Sequence, residues 1–433
     1  MDLLYANDNR GQYPRSYYAS VVEFLPEFPA LTSDIKTEIC VIGAGYTGLS
    51  TALHLAESGF EVVLLEAQRV GFGASGRNGG QVGSGQRREQ DALENMAGFD
   101  AAHAFWDIAE QSKNCVRRLI AEHKIDCDWR DGILHAELRE RDLGHSHAYA
   151  EKLQKEYNYQ HITPLTAEQI RNHLGSEAYV GGTLDMGAGH LNPLKYVLGL
   201  ARAAQNAGVR IFENSKATDI SMDDPAKVST KTGSVMARFV VLAGNGYMGN
   251  LAPQVAKRVM PINNFIVATE PLGQALAQEL IRDDVAVADS KFVVNYFKRS
   301  ADHRLLFGGG ESYGYRFPKN IAAKAQKPML KIFPQLADVK IDYAWGGTLA
   351  VTVNRMPNFQ RLSDNVFSAS GFSGHGVAMA SLAGEIMAET VKGMTGRFDA
   401  FAKTKPPRFP GGTVLRWPML VLAMTWFSLR DRF

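Results

Sequence analysis

The stretch EICVIGAGYTG, residues 38 to 48, decides the fold. A short apolar run enters the triplet G-x-G-x-x-G (Gly43, Gly45, Gly48), and the following LSTALHLAESG carries apolar side chains at helical spacing. This order of strand, tight turn and helix start forms a pyrophosphate site. The first glycine permits the turn, the second lets the backbone approach the phosphates, and the third lets the helix pack on the strand. Free N–H groups and the positive end of the helix dipole then face the anion.

A second buried strand is predicted in FEVVLLE, which ends at Glu66. Glu66 lies 66 − 43 = 23 residues beyond Gly43, where a carboxylate that binds the ribose of a dinucleotide belongs. A carboxylate accepts hydrogen bonds from the ribose hydroxyls and repels a 2′-phosphate. The pair of motifs therefore predicts an adenine dinucleotide and argues against NADP.

The next glycine-rich stretch is GFGASGRNGGQ, residues 71 to 81, with five glycines in eleven residues. This composition disfavours both a regular helix and a strand. The alternative to a flexible loop is a loop laid against a long cofactor, which FAD requires and NAD does not. Arg77 and Asn78 are the expected donors to such a cofactor.

A further helix start is predicted in VFSASGFSGHGVAMASLAGEIMAETVKG, where a strand meets Gly371, Gly374 and Gly376 and a helix of small residues follows. A helix dipole stabilises a nearby negative charge by roughly 0.3–1 kcal/mol. The charge that a reduced flavin develops at N1 and O2 fits this position. His375 is either a donor to the cofactor or a structural residue.

Composition excludes several classes of function. The chain has 433 residues, 45% hydrophobic and 21% charged, which indicates a globular protein of more than one domain. A net charge of +2 gives no indication of nucleic-acid binding. No metal-ligand spacing is present, Cys40 is expected in the core, and the N-terminus lacks a signal-peptide pattern, so we expect a cytoplasmic protein without a metal.

The C-terminal run WPMLVLAMTWFSL, residues 417 to 429, is too short to span a bilayer. Packing in a core or interface is the expectation, and contact with a membrane surface is the alternative. His103, His123, His135, His145 and His147 have no partner visible in the sequence, so we assign them to the surface or core.

The motifs together resemble the FAD-dependent D-amino-acid-oxidase-like family, which includes sarcosine oxidase, glycine oxidase and glycerol-3-phosphate dehydrogenase. GAGYTG, Glu66, GASGRNGGQ, the AGN that ends a strand at 243–245, and GFSGHG carry this resemblance across nearly the whole chain. FPQLADVKIDYAWGG and RFDAFAKTKPPRFPGG are similar to the subgroup of gamma-glutamylputrescine oxidases of bacterial polyamine catabolism.

The resemblance implies an α/β fold (α+β overall) with a discontinuous, Rossmann-like FAD-binding domain. A second, substrate domain is built on a mostly antiparallel sheet covered by helices. The expected division is an N-terminal arm (1–34), the FAD-binding domain (35–95, 176–257 and 340–400), the substrate domain (96–175 and 258–339) and a C-terminal tail with an apolar segment (401–433).

The resemblance also implies which residues contact FAD, and these follow the motifs. They are Gly43, Gly45, Tyr46, Thr47 and Gly48 at the pyrophosphate; Glu66 and Ala67 at the ribose; Ala217 and Gly244 along the adenosine and ribitol; and Ser75, Gly76, Arg77, Asn78, Gly79, Gly80, Gln81, Gly374, His375, Gly376 and Val377 at the isoalloxazine.

Two departures from monomeric sarcosine oxidase refine the expectation. Its carboxylate-binding lysine is matched by Ala378, which disfavours an α-amino acid bound in that manner and favours a longer amine. Its flavin-linking cysteine aligns approximately with Gly310, so we expect FAD to be noncovalent.

The resemblance implies oxidation of a C–N bond of a gamma-glutamylputrescine-like amine to an imine, which water converts to an aldehyde plus an amine or ammonia, with oxygen reduced to hydrogen peroxide. The reacting amine must be neutral, so we expect an apolar pocket that disfavours the ammonium. No residue is identified as a general base. The candidates for the pocket are Phe265, Tyr296, Phe297, Tyr313, Trp345 and His375.

Two alternatives remain at this point. One is a dehydrogenase that passes electrons from an amine or amino acid to a quinone or protein, which the apolar tail favours. The other is an FAD-binding protein without turnover. The sequence also leaves open whether Lys291 or Lys298 contacts oxygen or substrate, and how many subunits assemble.

Overall fold

A computed structural model of the chain describes residues 2–312, 314–413, 418 and 421. In chain order the strands are β1 (Ile35–Ile42), β2 (Val62–Leu65), β3 (Gln81–Val82), β4 (Arg130–Glu137), β5 (Ile162–Leu165), β6 (Gly181–His190), β7 (Arg210–Phe212), β8 (Asp219–Ile220), β9 (Ala226–Ser229), β10 (Ser234–Leu242), β11 (Met260–Thr269), β12 (Ala286–Asp289), β13 (Tyr296–Arg299), β14 (Leu305–Ser312), β15 (Ile341–Val351), β16 (Asn358–Ser363) and β17 (Val366–Ser370). The helices are α1 (Tyr17–Ser20), α2 (Tyr46–Glu57), α3 (Gln90–Ala97), α4 (Phe99–Glu122), α5 (Glu140–Glu156), α6 (Ala167–His173), α7 (Pro193–Asn206), α8 (Pro253–Ala256), α9 (Gly273–Leu280), α10 (Ile321–Ile332), α11 (Gly376–Val391) and α12 (Gly396–Lys403).

The first sheet has the order β16-β17-β10-β1-β2-β7, with β8 and β9 attached beside β10. Its central pairs, β17–β10, β10–β1, β1–β2 and β2–β7, are parallel. All four residues of β2 are buried, because helices and loops cover both faces of a parallel sheet. The strand order reverses between β1 and β10, and ligands of such sheets bind outside the carboxyl ends of the strands at this point.

Helices α2 and α11 pack closely against each other on one face of the first sheet. A Cβ at Gly384 of α11 would lie 2.4 Å from the Cβ of Ser50 on α2, so the absence of a side chain permits this approach. The Ser50 hydroxyl donates to the Ser381 carbonyl at 2.7 Å. The two helices that start at glycine motifs therefore form one rigid layer.

The second sheet has the order β15-β11-β14-β13-β12-β4-β6-β3, with β5 on β6, and its pairs are antiparallel except for β12–β4. One face forms a buried cluster with α6, α9 and α10, to which Leu134, Val287, Phe297 and Phe307 belong. The opposite face is turned toward the glycine loop after β2. This mixed architecture confirms the predicted fold class.

Two strands belong to a different sheet from the one implied by the expected domain limits. The ranges 176–257 and 340–400 were assigned to FAD binding, yet β6 pairs with β4 and β15 pairs with β11 in the second sheet. Pairing with strands distant in the sequence determines which sheet β6 and β15 join, and local sequence patterns do not predict that pairing. The division of the chain into domains stays a prediction.

The N-terminal arm packs into the molecule as well as onto its surface. Tyr17 and Tyr18 of α1 are buried, and Asp8 forms an ion pair with Arg77 at 2.9 Å. Among the described residues, no helix is both long and apolar enough to cross a membrane. The apolar segment 417–429 lies outside the described residues except for 418 and 421, so its role stays a prediction.

Candidate active site

The glycine triplet forms a close junction between the first strands and α2. Gly43 has a φ of +108°, and a Cβ there would lie 2.9 Å from the Ala243 carbonyl oxygen at the end of β10. A Cβ at Gly48 would lie 1.8 Å from the Gly43 carbonyl oxygen. The N-cap residue of helix α2 is Gly45, which has no side chain that could cap the helix. The helix start is therefore shaped for close approach of an anion.

Glu66 follows β2 at the same edge of the sheet. Its carboxylate accepts hydrogen bonds from the N–H groups of Ala44 at 2.8 Å and Gln68 at 2.9 Å. Burial raises the pKa of Glu66 to about 7, against the opposing effect of these N–H groups. The carboxyl group is thus fixed beside the glycine turn, where a ribose hydroxyl would meet it.

A groove follows the carboxyl ends of β1, β2 and β10. Gly43, Gly45, Glu66 and Gly244 remain partly accessible to solvent at this edge, although the strands that lead to them are buried. Missing Cβ atoms, an N–H-lined helix start and a fixed carboxylate are the features a dinucleotide requires. These residues therefore fit FAD. The individual contacts of Tyr46, Thr47, Ala67, Ala217 and Val377 stay predictions; Tyr46, Thr47, Ala217 and Val377 are buried.

Within the loop 71–81, two expected donors hold the loop itself. The Asn78 amide donates to the Ala74 and Ser75 carbonyls, and its oxygen accepts from the Gly80 N–H at 2.7 Å. Arg77 is buried and donates to the Phe72 carbonyl at 2.6 Å and the Gly346 carbonyl at 3.2 Å. These hydrogen bonds hold the loop, while Arg77 Nη2 is buried without a hydrogen-bond partner among the described residues, and donation from Arg77 and Asn78 to FAD stays a prediction.

The other residues expected around the isoalloxazine lie in the two glycine loops. Ser75 accepts from the Tyr46 N–H at 3.1 Å through its hydroxyl, and Gln81 donates to the Val287 carbonyl at 2.9 Å. A Cβ at Gly76 would lie 2.3 Å from the Gly71 carbonyl oxygen, so glycine is needed for this turn. Gly374 and Gly376, at the start of α11, are accessible to solvent.

Gly79, just before β3, packs against the open face of the second sheet at Tyr296. Tyr296 of β13 is the main side chain on this face. A Cβ added at Gly79 would lie 2.7 Å from its ring, and one added at Gly308 would lie 2.1 Å from it. Its hydroxyl donates to Asn264 at 2.6 Å. His135 lies on the same face, because Ala288 of β12 pairs with both His135 and Tyr296. Gly83 lies beside His375, and Gly374 lies near Arg87. We use the name inner cleft for the group formed by Gly79, Gly83, Arg87, His135, Tyr296, Gly374 and His375.

His375, at the start of α11, lies beside Gly83, which follows β3. Its Nε2 is 3.1 Å from the Gly83 carbonyl oxygen, which can only accept, so Nε2 carries the hydrogen. Burial, followed by the Arg87 charge, lowers the pKa of His375 to about 4. The ring is therefore neutral at pH 7, and Nδ1 keeps a lone pair.

Several of the predicted pocket walls do not line the cleft. Trp345 is 2% exposed, with its Nε1 donating to the Arg77 carbonyl at 3.0 Å, and Phe265 is 0% exposed. Phe297 belongs to the cluster under α10, because successive side chains of a strand point to opposite faces and Tyr296 takes the inner one. Tyr313 lies outside the described residues.

The two lysines left open by the sequence differ in their surroundings. Lys298 is buried and donates to the Leu191 carbonyl at 2.5 Å beneath Gly80. Burial lowers the pKa of Lys298 to about 8. Lys291 is only partly buried. Neither is among the residues that define the inner cleft.

Two residues of the inner cleft were missed by sequence reasoning. His135 was assigned to surface or core, and Arg87 was not considered. The alternation in GILHAEL, where Leu134 and Ala136 are buried and His135 is exposed, was the available signal for a side chain on the open face. For Arg87, which lies in a loop, no local pattern was available.

None of the three cysteines is among the residues that define the inner cleft. Cys40, Cys115 and Cys127 are all unpaired and buried, and burial raises the pKa of Cys127 to about 12. Gly310, at the approximate position of the linking cysteine, has no thiol. That FAD is bound without a covalent bond stays a prediction.

Comparisons with known proteins agree with this geometry. The chain is 41% identical over 422 residues to gamma-glutamylputrescine oxidoreductase of Escherichia coli (strain K12), covering 97% of this chain and 99% of the relative. It is also 41% identical to probable oxidoreductase OrdL of Rhizobium meliloti (strain 1021), over 96% and 97% of the two chains. The crystal structure of glycine oxidase from Geobacillus kaustophilus superposes with a TM-score of 0.73 at 20% identity, covering 86% of this chain and 99% of that one.

Residues 38–390 match the family described as DAO, FAD dependent oxidoreductase. That range begins in β1 and ends in α11, so it contains the dinucleotide groove and the residues that define the inner cleft. The chain therefore belongs to the DAO family of FAD-dependent oxidoreductases and is an FAD-dependent enzyme acting on C–N bonds of the amine or amino-acid type.

Proposed function

We propose that the chain oxidises the terminal C–N bond of a gamma-glutamylputrescine-like amine. The neutral amine loses two electrons and two protons, as a hydride from carbon and a proton from nitrogen, to form an imine that water converts to an aldehyde and ammonia, while oxygen takes up the two electrons and two protons as hydrogen peroxide. The observation that carries this proposal is the 41% identity to gamma-glutamylputrescine oxidoreductase over nearly the full length of both chains.

Bound FAD supplies a two-electron acceptor for hydride from the carbon next to nitrogen. The protein must then present the amine without its proton, since the nitrogen lone pair assists loss of hydride. An alkylamine has a pKa of about 10.4, so neutralisation at pH 7 costs about 4.6 kcal/mol at ~1.36 kcal/mol per unit. A site that disfavours the ammonium reduces this cost.

The charges of the inner cleft support binding of a neutral amine. His375 is a neutral acceptor at pH 7. The oxygens of Asp185, on β6 below the cleft, accept from Tyr159 at 2.5 Å and Ser84 at 2.5 Å, so this carboxylate is already occupied. A neutral imidazole and a carboxylate that is already hydrogen-bonded stabilise an ammonium little, which favours the neutral amine.

Tyr296 contributes a fixed apolar wall for the aliphatic part of the substrate. Its ring is held by Gly79 and Gly308, and Asn264 fixes its hydroxyl. Side chains held this way restrict the orientations of a flexible alkylamine chain, which favours a reactive alignment of the C–H bond.

The decisive experiment is anaerobic mixing of the FAD-loaded enzyme with gamma-glutamylputrescine, putrescine, sarcosine or glycine, each alone, while flavin absorbance is followed. We expect rapid bleaching by gamma-glutamylputrescine and peroxide after air is admitted. Bleaching by sarcosine or glycine instead would refute the substrate class. Bleaching without peroxide in air, with fast reoxidation by a quinone, would replace the oxidase by a dehydrogenase.

A further inference from the structure

Arg87 stands out in the inner cleft because it lacks a counter-ion. Within 2–312, 314–413 and the isolated residues 418 and 421, no carboxylate or hydrogen-bond acceptor pairs with its guanidinium. Its neighbour Arg88, in contrast, donates to the Asn354 carbonyl at 3.5 Å. An arginine side chain placed in a protein without a partner leaves five donors for something else.

Arg87 is exposed to solvent and lies near the start of α11. The protein that surrounds this exposed side chain lowers the pKa of the guanidinium. Its Nε lies 4.0 Å from the position that a Cβ on Gly374 would occupy, so it reaches the start of α11. Arg87 is therefore accessible to solvent beside the start of α11.

The charges around Arg87 do not neutralise it. Arg355, which has the same sign, also lowers the pKa of Arg87. Arg87 in turn lowers the pKa of His135 and His375, so both rings are biased toward the neutral form. Asp185 is occupied by Tyr159 and Ser84, and Glu110 pairs with Lys113 at 2.9 Å. Among the described residues, neither of these two carboxylates is paired with Arg87.

We propose that Arg87 determines specificity by binding the carboxylate at the end of the substrate remote from the reacting amine. The proposal rests on the proposed function and identifies the substrate class as amines that also carry a carboxylate. Arginine suits this role because its planar fork forms two parallel hydrogen bonds to a carboxylate. The cofactor pyrophosphate is assigned to the start of α2, which leaves Arg87 for another anion.

The test compares two substrates that differ only in the anion. One is gamma-glutamylputrescine, and the other is N-(4-aminobutanoyl)putrescine, in which hydrogen replaces the α-carboxylate. For Arg87→Gln we expect the KM for gamma-glutamylputrescine to rise about 10- to 100-fold, the range for lost charged hydrogen bonds. The KM for the analogue should change less than about twofold, and Arg87→Lys should lie between wild type and Arg87→Gln. Arg88→Gln is the matched control and should behave as wild type.

Two further readouts separate the explanations. Equal losses for both substrates, or a changed flavin content or spectrum in Arg87→Gln, would overturn the proposal and assign Arg87 to the cofactor or to the fold. If wild type oxidises neither compound, the proposed function fails. Titration with L-glutamate then tests carboxylate binding by Arg87 separately from turnover. A shift of flavin absorbance that occurs in wild type but not in Arg87→Gln supports carboxylate binding by Arg87. No shift, or an equal shift in both proteins, overturns the proposal.

Discussion

At the scale of single residues, Glu66 links cofactor binding to pH. Burial raises its pKa to about 7, so the apoprotein carboxyl is largely protonated below that pH. Only the carboxylate can accept from ribose hydroxyls while it accepts from the Ala44 and Gln68 N–H groups. FAD binding must then release a proton below pH 7 and none well above it.

We therefore expect the Kd of the apoprotein for FAD to rise as pH falls below 7, by up to about tenfold per pH unit, and to be flat above pH 8. Quenching of FAD fluorescence between pH 5.5 and 8.5 measures this dependence. Glu66→Gln keeps the size of the side chain but cannot ionise, so it should bind FAD about 10- to 100-fold more weakly at pH 8. Its Kd should not depend on pH; a slope equal to that of wild type would assign the titration to another group.

The site residues show how far the sequence reaches at this scale. The glycines and Glu66 were predictable because each serves a local geometric need within a motif. Tyr296 and Phe297 were both candidates for the pocket because they are aromatic and adjacent, and only strand pairing decides which of the two lies on the open face. His135 and Arg87 depend on contacts between segments distant in the chain, which a single sequence does not encode visibly.

At the scale of elements, two glycines in helices should respond in opposite directions to the same substitution. Gly48 lies in α2 against the end of β1, and its added Cβ would lie 1.8 Å from a carbonyl oxygen. Gly144 lies on the exposed side of α5, and an added Cβ would meet nothing within 4 Å. The first site tests tertiary packing, and the second tests helix propensity alone.

Gly48→Ala should lower stability by about 3 kcal/mol or more, because backbone must move to admit the methyl group. Gly144→Ala should raise stability by about 0.5–1 kcal/mol, because alanine loses less entropy in a helix. Thermal midpoints of the two variants, with FAD content after purification, measure both effects. A Gly48→Ala protein with wild-type midpoint and full FAD would contradict the close junction described for α2.

Elements with strong local patterns were predictable, and their partners were less so. The strand–helix–strand unit of β1, α2 and β2 and the strand and helix at 366–391 follow from apolar periodicity and glycine position. The placement of β6 and β15 in the second sheet does not, because pairing over long separations is set by the whole fold.

At the scale of the whole molecule, Arg77 joins three parts of the structure. Its guanidinium donates to the Phe72 carbonyl in the glycine loop and to the Gly346 carbonyl in β15, and it pairs with Asp8 of the arm. The arm is also fixed through Asn7, which donates to the Tyr315 carbonyl at 2.8 Å and accepts from the Phe317 N–H at 2.7 Å. The first residues of the chain thus hold the glycine loop against the second sheet.

This arrangement predicts that Asp8→Asn destabilises the protein although Asp8 is near the N-terminus. The side chains of Arg77 and Asp8 are 3% and 17% exposed, so the substitution leaves a buried positive charge without its counter-ion. Breaking a buried pair costs about 3–5 kcal/mol, and the partial exposure of Asp8 reduces this to about 2–3 kcal/mol. The thermal midpoint should fall, and flavin fluorescence should report release of FAD at the lower temperature.

Asp2→Asn is the matched control. Asp2 lies on the same arm as Asp8 and pairs with Lys216, outside the arm, at 2.5 Å; the Asp2 side chain is 45% exposed and that of Lys216 is 38% exposed. A surface pair contributes about 0–1 kcal/mol, so this variant should unfold close to wild type, and more so in high salt. Equal losses in the two variants would mean that the arm acts only through its general packing. A large loss in Asp8→Asn alone would locate the attachment of the arm at the buried guanidinium, beside the loop that is expected to contact the flavin.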